Sequence, residues 1–450
     1  MPDWVLTPAT WESRKHQLQT TKTGLFQLVG WYGSTHQAAM WRKAVEFLAV
    51  FKERHLPGFD PQLTENWSPA YAAVEAEVLA KASVLVIRLE NHELLNGSLG
   101  SIAEIGMALT SAALRGQIVV ISIEDELLIS LSESGAIAQY MILEMFLERW
   151  ERTPELAGLL RVHRGNHLAK LAEIACDAAA QQLSSPQACV DFQVFLTKKA
   201  RRRHNYPQRV LLGGSGGPYT PAHETAFKRK KEILLEPYLA EGQMVKVLSE
   251  GAIADAWNIP YGSVDKLGVA LATRTLLSIE SEYKREADIL LLPIMTEAAS
   301  KAAATEIGLL LVNALITGQW VKVYMEPFDP VDFLHYQLKD VDIESCTTEK
   351  EMRLALQKAG VDNDILALAV RQEVEDTAEI LRRLMHEPEE PTLKEVQLSL
   401  LGQTPAFSNA DNIRRVRALV EAHLACLSAD HRFDGFFEYA TCIEKTTSDE

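Results

Sequence analysis

Cysteine is scarce, with five residues in 450 (Cys176, Cys189, Cys346, Cys426 and Cys442). No two of them form a C-x-x-C, so neither a disulfide framework nor a zinc ribbon is expected. Positive charge is also short. Lys and Arg number 45 against 61 Asp and Glu, a net charge of −16. Such an acidic surface repels phosphate backbones and anionic lipid, which excludes nucleic-acid or membrane binding as the main role. No apolar run reaches the roughly 18 residues of a membrane helix. The stretch Met1–Val5 lacks a basic region followed by an apolar one, so no signal peptide is predicted and a reducing, cytoplasmic setting is expected. A Walker A motif, a G-x-G-x-x-G with an acidic partner, and Ser-His-Asp or Cys-His arrangements are all missing.

What is there is ordinary for a folded protein: 47% hydrophobic and 24% charged residues, in a length that suits two to four domains. More informative, the chain repeats itself. Glu75 falls on Glu280, Glu77 on Glu282 and Ala82 on Ala287, a shift of 205. Downstream, Glu104-Ile105-Gly106 falls on Glu306-Ile307-Gly308, and Gly116-Gln117 on Gly318-Gln319, a shift of 202. Each copy alternates apolar strands with helical stretches, which predicts parallel sheets covered on both faces. The first copy reads as strands 25–29, 84–89 and 118–123 with helices 37–53, 71–82 and 101–115. The second reads as strands 209–212, 289–293 and 321–325 with a helix over 306–317. The fold class is α/β, with two tandem flavodoxin-like parallel-sheet domains and a helical C-terminal region. The domains span 1–183 (with trailing helices over 133–183) and 208–330, the linker 184–207, and the C-terminal region 331–450, including helices 349–358 and 365–385. The basic run Lys198–Arg203 in the linker reads as a solvated segment.

Ligands of open parallel sheets bind at the carboxyl ends of the strands. Two glycine loops lie there: Gly30-Trp31-Tyr32-Gly33-Ser34 and Gly213-Gly214-Ser215-Gly216-Gly217. The loop Asn96–Ser101 leads into the Glu104 helix, where Ile102, Ile105 and Leu109 form one stripe and Glu104 shares another face with Ser101 and Ala108. A carboxylate in a first helical turn is held ionised by the positive helix end, as a nucleophile toward an anomeric carbon requires. The spacing of His163 and His167 would put two imidazoles on one helical face, but no third ligand accompanies them and no metal is expected. Trp31, Trp41 and Trp67 read as packing residues, with base stacking as the alternative.

With these residues in place, the strand–glycine loop, Trp41-Arg42, Phe59-Asp60-Pro61, Trp67 and the Ser-Ile-Ala-Glu helix start resemble the nucleoside 2-deoxyribosyltransferase-like superfamily. The resemblance covers roughly residues 24–125 and, with fewer motif positions, 208–326. It implies N-glycosidic chemistry on a nucleoside or nucleotide, as transferase or hydrolase, with no cofactor. The nucleophile would be Glu104, and Glu306 in the second copy. Gly30, Tyr32 and Ser34 would line the base or orient the glutamate, with Gly213 and Ser215 as their counterparts. Ser98 and Ser101 occupy the loop where the family places a sugar-binding aspartate. The alternative is a non-catalytic nucleotide-binding or scaffold protein that retains the fold. The two copies are expected to form an intrachain pseudo-dimer, with a homo-oligomer on top of it left open.

Overall fold

The computed structural model describes residues 5–6, 10–13, 26–30, 49–50, 52–53, 58–59, 69–89, 98–123, 137–165, 167–184, 189–214, 224–247, 278–295, 301–326 and 409–440. Among them, the expected helices 349–358 and 365–385 and most of 37–53 are not included. No helix of the described residues is long and apolar enough to cross a membrane.

The architecture is α/β with two parallel sheets. In the first sheet, β1 (Val5–Leu6), β2 (Phe26–Gly30), β3 (Gly58–Phe59), β4 (Val84–Leu89), β5 (Ile118–Ile123) and β6 (Leu160–Arg164) lie in the order β1-β3-β2-β4-β5-β6. In the second, β7 (Arg209–Leu212), β8 (Met244–Val247), β9 (Ile289–Ile294), β10 (Trp320–Met325) and β11 (Glu438–Ala440) lie in the order β11-β10-β9-β7-β8. Setting aside the two-residue β1, each sheet runs 2-1-3-4-5 when its strands are counted along its own copy.

The helices of the described residues include α1 (Pro69–Lys81), α2 (Ser98–Arg115), α3 (Ile137–Glu151), α4 (Pro154–Ala157), α5 (Leu168–Ser184), α6 (Phe192–Arg203), α7 (Glu224–Ala240), α8 (Lys301–Thr317) and α9 (Asn409–Ser428). Residues 278–286 are helical as well. The central strands are apolar on both faces because both faces are covered. Val84, Val86, Ile118 and Val120 pack on Leu171, Ala175 and Ala179 of α5. Val210, Leu212 and Leu291 pack on Phe227 and Leu234 of α7. The opposite faces, with Leu85, Ile87 and Ile121 in one sheet and Leu290, Leu292 and Val323 in the other, share a single core that also takes in α2, α3, α8 and α9.

At the centre of that shared core the two copies meet at equivalent positions. A Cβ added to Gly308 of α8 would fall against the carbonyl carbon of Gly106 of α2, closer than real Cβ contacts come. Thr110 Oγ1 lies 2.7 Å from the Gly308 carbonyl oxygen and 3.0 Å from that of Gly106. The repeated Gly-Gln pair also has a structural reason. Gln117 Nε2 donates to the carbonyls of Leu79 and Ala82, and Gln319 Nε2 to those of Lys284 and Ala287. The two glutamines thereby satisfy carbonyls that the ends of α1 and of the 278–286 helix leave without partners.

The structure differs from the sequence reading in three places. First, the stretch 133–183 is not wholly helical: β6 lies inside it, so His163 sits on a strand and shares no helical face with His167. Second, the C-terminal region is not only helical. Its strand β11 completes the second sheet beside β10. Residues 414–440 are the counterpart of 137–163, at a shift of 277. Arg161 pairs with Val120 just as Glu438 pairs with Lys322, and the turns match, with Leu156 N donating to Thr153 O and Phe433 N to Asp430 O. The long separation in sequence hid this relationship.

Third, the basic run is not a solvated linker. It belongs to α6, whose N-cap Asp191 accepts from Gln193 N and Val194 N. From α6, Lys198 Nζ donates to Ile316 O, and Arg202 donates to Thr317 O, Ala287 O and Asp288 Oδ1. Lys199 Nζ donates to Gly435 O. Cations therefore bind the carbonyl ends of α8 and of the 278–286 helix, where the helix dipole favours them. Lys199 also lies 4.0 Å from the centre of the Trp320 ring, and its burial lowers its pKa to about 8.

Candidate functional site

In the first copy Gly30 ends β2 opposite Arg88 of β4, so both strands finish at one sheet edge, and α2 starts in the connection that leaves β4. Helix α2 begins at Ser98, earlier than the expected Ser101, because Ser98–Gly100 are already helical. Glu104 is therefore in the second turn rather than the first, and no acidic residue stands in the first turn. The same holds for Glu306 in α8. A dipole effect fades beyond the terminal turn, so the expected stabilisation by the helix end is not available to either carboxylate. Glu104 is 8% exposed. The loop residues Tyr32, Ser34 and Ser215, the tryptophans 31, 41 and 67, and the side chains of Ser98 and Ser101 lie outside the described residues.

Gly213 directly follows β7, its N–H donating to Leu291 O at 2.9 Å. Gly214 next to it has φ +83°, and a Cβ there would strike the carbonyl oxygen of Pro293. Close packing against β9 is thus reason enough for glycine at 214.

The second copy holds a group that sequence reading did not single out. Lys284, buried on the 278–286 helix, sits between two carboxylates: Glu306 at 2.5 Å and Glu280 at 3.2 Å. Burial alone would lower its pKa, but the two negative charges outweigh that and hold it at about 12. The shift of 205 puts Leu79, also buried, at the equivalent place in the first copy. Glu306 is thus neutralised by an ammonium, while Leu79 offers no such charge to Glu104. A charged residue facing a leucine in otherwise matching helices was the available sequence signal.

Glu306 and Lys284 line a small cleft of about 80 Å³ between the copies. Met145, Phe146 and Arg149 of α3 form one wall, with Leu309 and Asn313 of α8 opposite. The equivalent wall in the other half of the shared core carries Ala422, His423 and Cys426 of α9, by the shift of 277. There Cys426 Sγ rests 3.8 Å from Ala76 O and His423 is buried. Burial, with the charge of Arg115 nearby, lowers the His423 pKa to about 3, so the imidazole is neutral at pH 7.

Among the described residues, no group of three or more His, Cys, Asp or Glu is placed to hold a metal ion. Comparisons with protein-family models, curated proteins and solved structures give no match to this chain.

Proposed function

We propose that the chain cleaves or transfers the N-glycosidic bond of a nucleoside or nucleotide, with Glu104 as nucleophile. The Glu104 carboxylate attacks the anomeric carbon. The C–N bond breaks, and the base leaves with the bonding electrons and takes up a proton. A second base or water then resolves the glycosyl ester. The strand order 2-1-3-4-5 of both sheets supports a flavodoxin-like pair of domains, whose ligands bind at the strand carboxyl ends. Gly30 and the start of α2 stand at that edge in the first copy.

The observation that carries the choice of copy is the exchange of Lys284 for Leu79. A carboxylate tied to a buried ammonium is a poor nucleophile; Lys284 ties Glu306 in this way, and the corresponding Leu79 brings no ammonium to the first copy. The free thiols of Cys176, Cys189 and Cys426 suit a reducing, cytoplasmic setting. Incubation with a panel of nucleosides, nucleoside monophosphates and NAD, followed by chromatography for free base, tests the reading. Glu104→Gln is expected to abolish base release and Glu306→Gln to leave it nearly intact. Equal release by wild type and Glu104→Gln would sink the assignment.

The burial of Glu104 in the second helical turn favours a second reading, a nucleotide-binding protein without turnover. Saturable binding of a nucleotide with no free base over extended incubation would select it.

A further inference from the structure

The charges that line the cleft between the copies are split between its two sides. From the first copy, α3 brings Met145, Phe146 and Arg149. From the second come Glu280, Lys284 and Glu306, where two carboxylates share one ammonium at 3.2 and 2.5 Å. Among the lining residues, the first copy thus contributes one positive charge and the second a surplus of one negative charge. Among the described residues, no ion pair joins the two sides. There the half-buried Arg149 guanidinium has neither a hydrogen bond nor an ion pair. Other arginines of the first copy are partnered: Arg164 donates to both oxygens of Glu144, and Arg161 to Gln181. A place in the last turn of α3 suits a cation, but that would hold equally for a side chain turned to solvent.

The repeat supplies an internal comparison. In the other half of the shared core, the shifts of 277 and 205 place Cys426 where Arg149 stands and Leu79 where Lys284 stands. Glu75 and Glu104 hold the places of Glu280 and Glu306, so the carboxylates have counterparts and the cations do not. Cys426 lies against Ala76 O there, so packing of the copies does not demand a cation at that position. A half-buried guanidinium without a partner costs desolvation free energy, and a carboxylate in the cleft offsets that cost through a bidentate pair. Size narrows the choice of ligand. A cleft of about 80 Å³ has space for about six waters, which suits a molecule of under about ten non-hydrogen atoms and is too small for a nucleotide. A dianionic phosphate would also meet Glu280 and Glu306 as like charges.

We propose that this cleft binds a small apolar α-amino acid as its zwitterion, with the carboxylate on Arg149 and the ammonium against Glu280 and Glu306. The guanidinium fork matches the two oxygens of a carboxylate. A carboxylate accepts at several lone pairs, so Glu280 and Glu306 can take the ligand's ammonium while still bound to Lys284. Phe146 and Leu309 offer apolar surface to the ligand's side chain. Because the two ends of the ligand meet different copies, occupancy also ties the copies together. The site is separate from Glu104 and does not depend on the glycosidic reading.

Calorimetric titration and thermal melting of the full chain with L-valine, L-leucine and L-methionine test this. The tightest binder of the three is expected to saturate the protein and raise Tm. Its deaminated acid and its decarboxylated amine, each lacking one end, should bind at least tenfold more weakly. Arg149→Gln should weaken amino-acid binding at least tenfold, and Arg149→Lys, which keeps the charge but not the fork, should weaken it less. Without ligand, Arg149→Gln should melt like wild type, since it loses no partner. Ser281→Phe, at a partly exposed lining position of the second copy, should weaken binding by filling the cleft. Glu104→Gln should bind like wild type, which separates this site from the nucleophile. No saturable binding of any of the three amino acids would overturn the proposal, as would an acid or amine that binds as tightly as its parent. Unchanged affinity in both Arg149→Gln and Ser281→Phe would overturn it as well. So would weakened binding matched by a lower ligand-free Tm in both, which would make the two residues packing elements.

Discussion

Gly308 of the second copy lies directly against Gly106 of the first, the residue that holds the same place in the repeat, and Thr110 Oγ1 reaches the Gly308 carbonyl oxygen at 2.7 Å. Backbone-to-backbone approach of two helices needs a residue without a side chain at the crossing. The repeated Glu-Ile-Gly triplet therefore records an interface as well as a candidate nucleophile, and its glycine is the member with an observed structural duty.

Gly308→Ala is expected to destabilise the protein by about 1–3 kcal/mol, through overpacking of the helix crossing. Helix propensity alone would predict the opposite sign, a gain of about 1 kcal/mol for alanine over glycine. Urea unfolding monitored by circular dichroism decides between them. A midpoint at or above that of wild type would mean that the helices can separate at no cost.

Lys284→Met removes the one ammonium between Glu280 and Glu306 and leaves buried negative charge behind. The expected loss is about 3–5 kcal/mol at pH 7. The folded-state pKa of Lys284 is raised from 10.5 to about 12. Its contribution is thus complete below pH 10.5 and declines as pH rises through 12. Wild type should lose stability over that alkaline interval more steeply than Lys284→Met, a comparison that melting curves at pH 9.5 and 11.5 provide.

Leu79→Lys places in the first copy the ammonium that the second copy has. If Glu104 is the nucleophile, pairing with this lysine should reduce base release at least tenfold, with the helical circular-dichroism signal retained. Full activity in a folded Leu79→Lys protein would remove the main reason for assigning chemistry to the first copy.

Arg202→Ala should cost about 1.5–3 kcal/mol, the range for a charged hydrogen-bonding group, because Thr317 O, Ala287 O and Asp288 all lose a donor. Arg201→Ala, at an exposed position on the same helix, is the control and should change stability by less than about 0.5 kcal/mol. Equal effects of the two substitutions would return the basic run to the status of a solvated segment.

His423 sets an acid limit. Its pKa is lowered from 6.5 to about 3 by burial, so the unfolded chain takes up a proton that the folded one refuses. Stability is expected to fall as pH drops from 6.5 towards 3, by about 1.4 kcal/mol per pH unit from this group. His423→Phe matches the residue at the equivalent place in the first copy, Phe146, and should flatten that part of the pH–stability curve. Parallel curves for the two proteins between pH 6.5 and 4.5 would show that the imidazole is not the group responsible.

Strands β4, β5 and β7 could be read with their observed ends because a central parallel strand is an apolar run of fixed length, and burial on both faces leaves no ambiguity. The edge strands β6, β8 and β11 could not. Partly or fully exposed residues such as Arg161, Lys246 and Glu438 carry little pattern, and a strand at an edge is defined by the neighbour it pairs with. The helix over 301–317 began earlier than the pattern at Glu306 implied, since Lys301–Thr305 supply no apolar stripe of their own.

By itself the sequence determined that there are two α/β copies, where their central strands run and which glutamates correspond, because repetition and hydrophobic period are local properties of a chain. Only the tertiary structure decided that residues 409–440 complete the second sheet and that Lys198 and Arg202 cap helices of the second copy. It alone, too, set Lys284 between Glu280 and Glu306. Each of these depends on which distant groups share a low-dielectric space. That is settled when the two copies bury a common core, and no window along the chain contains it.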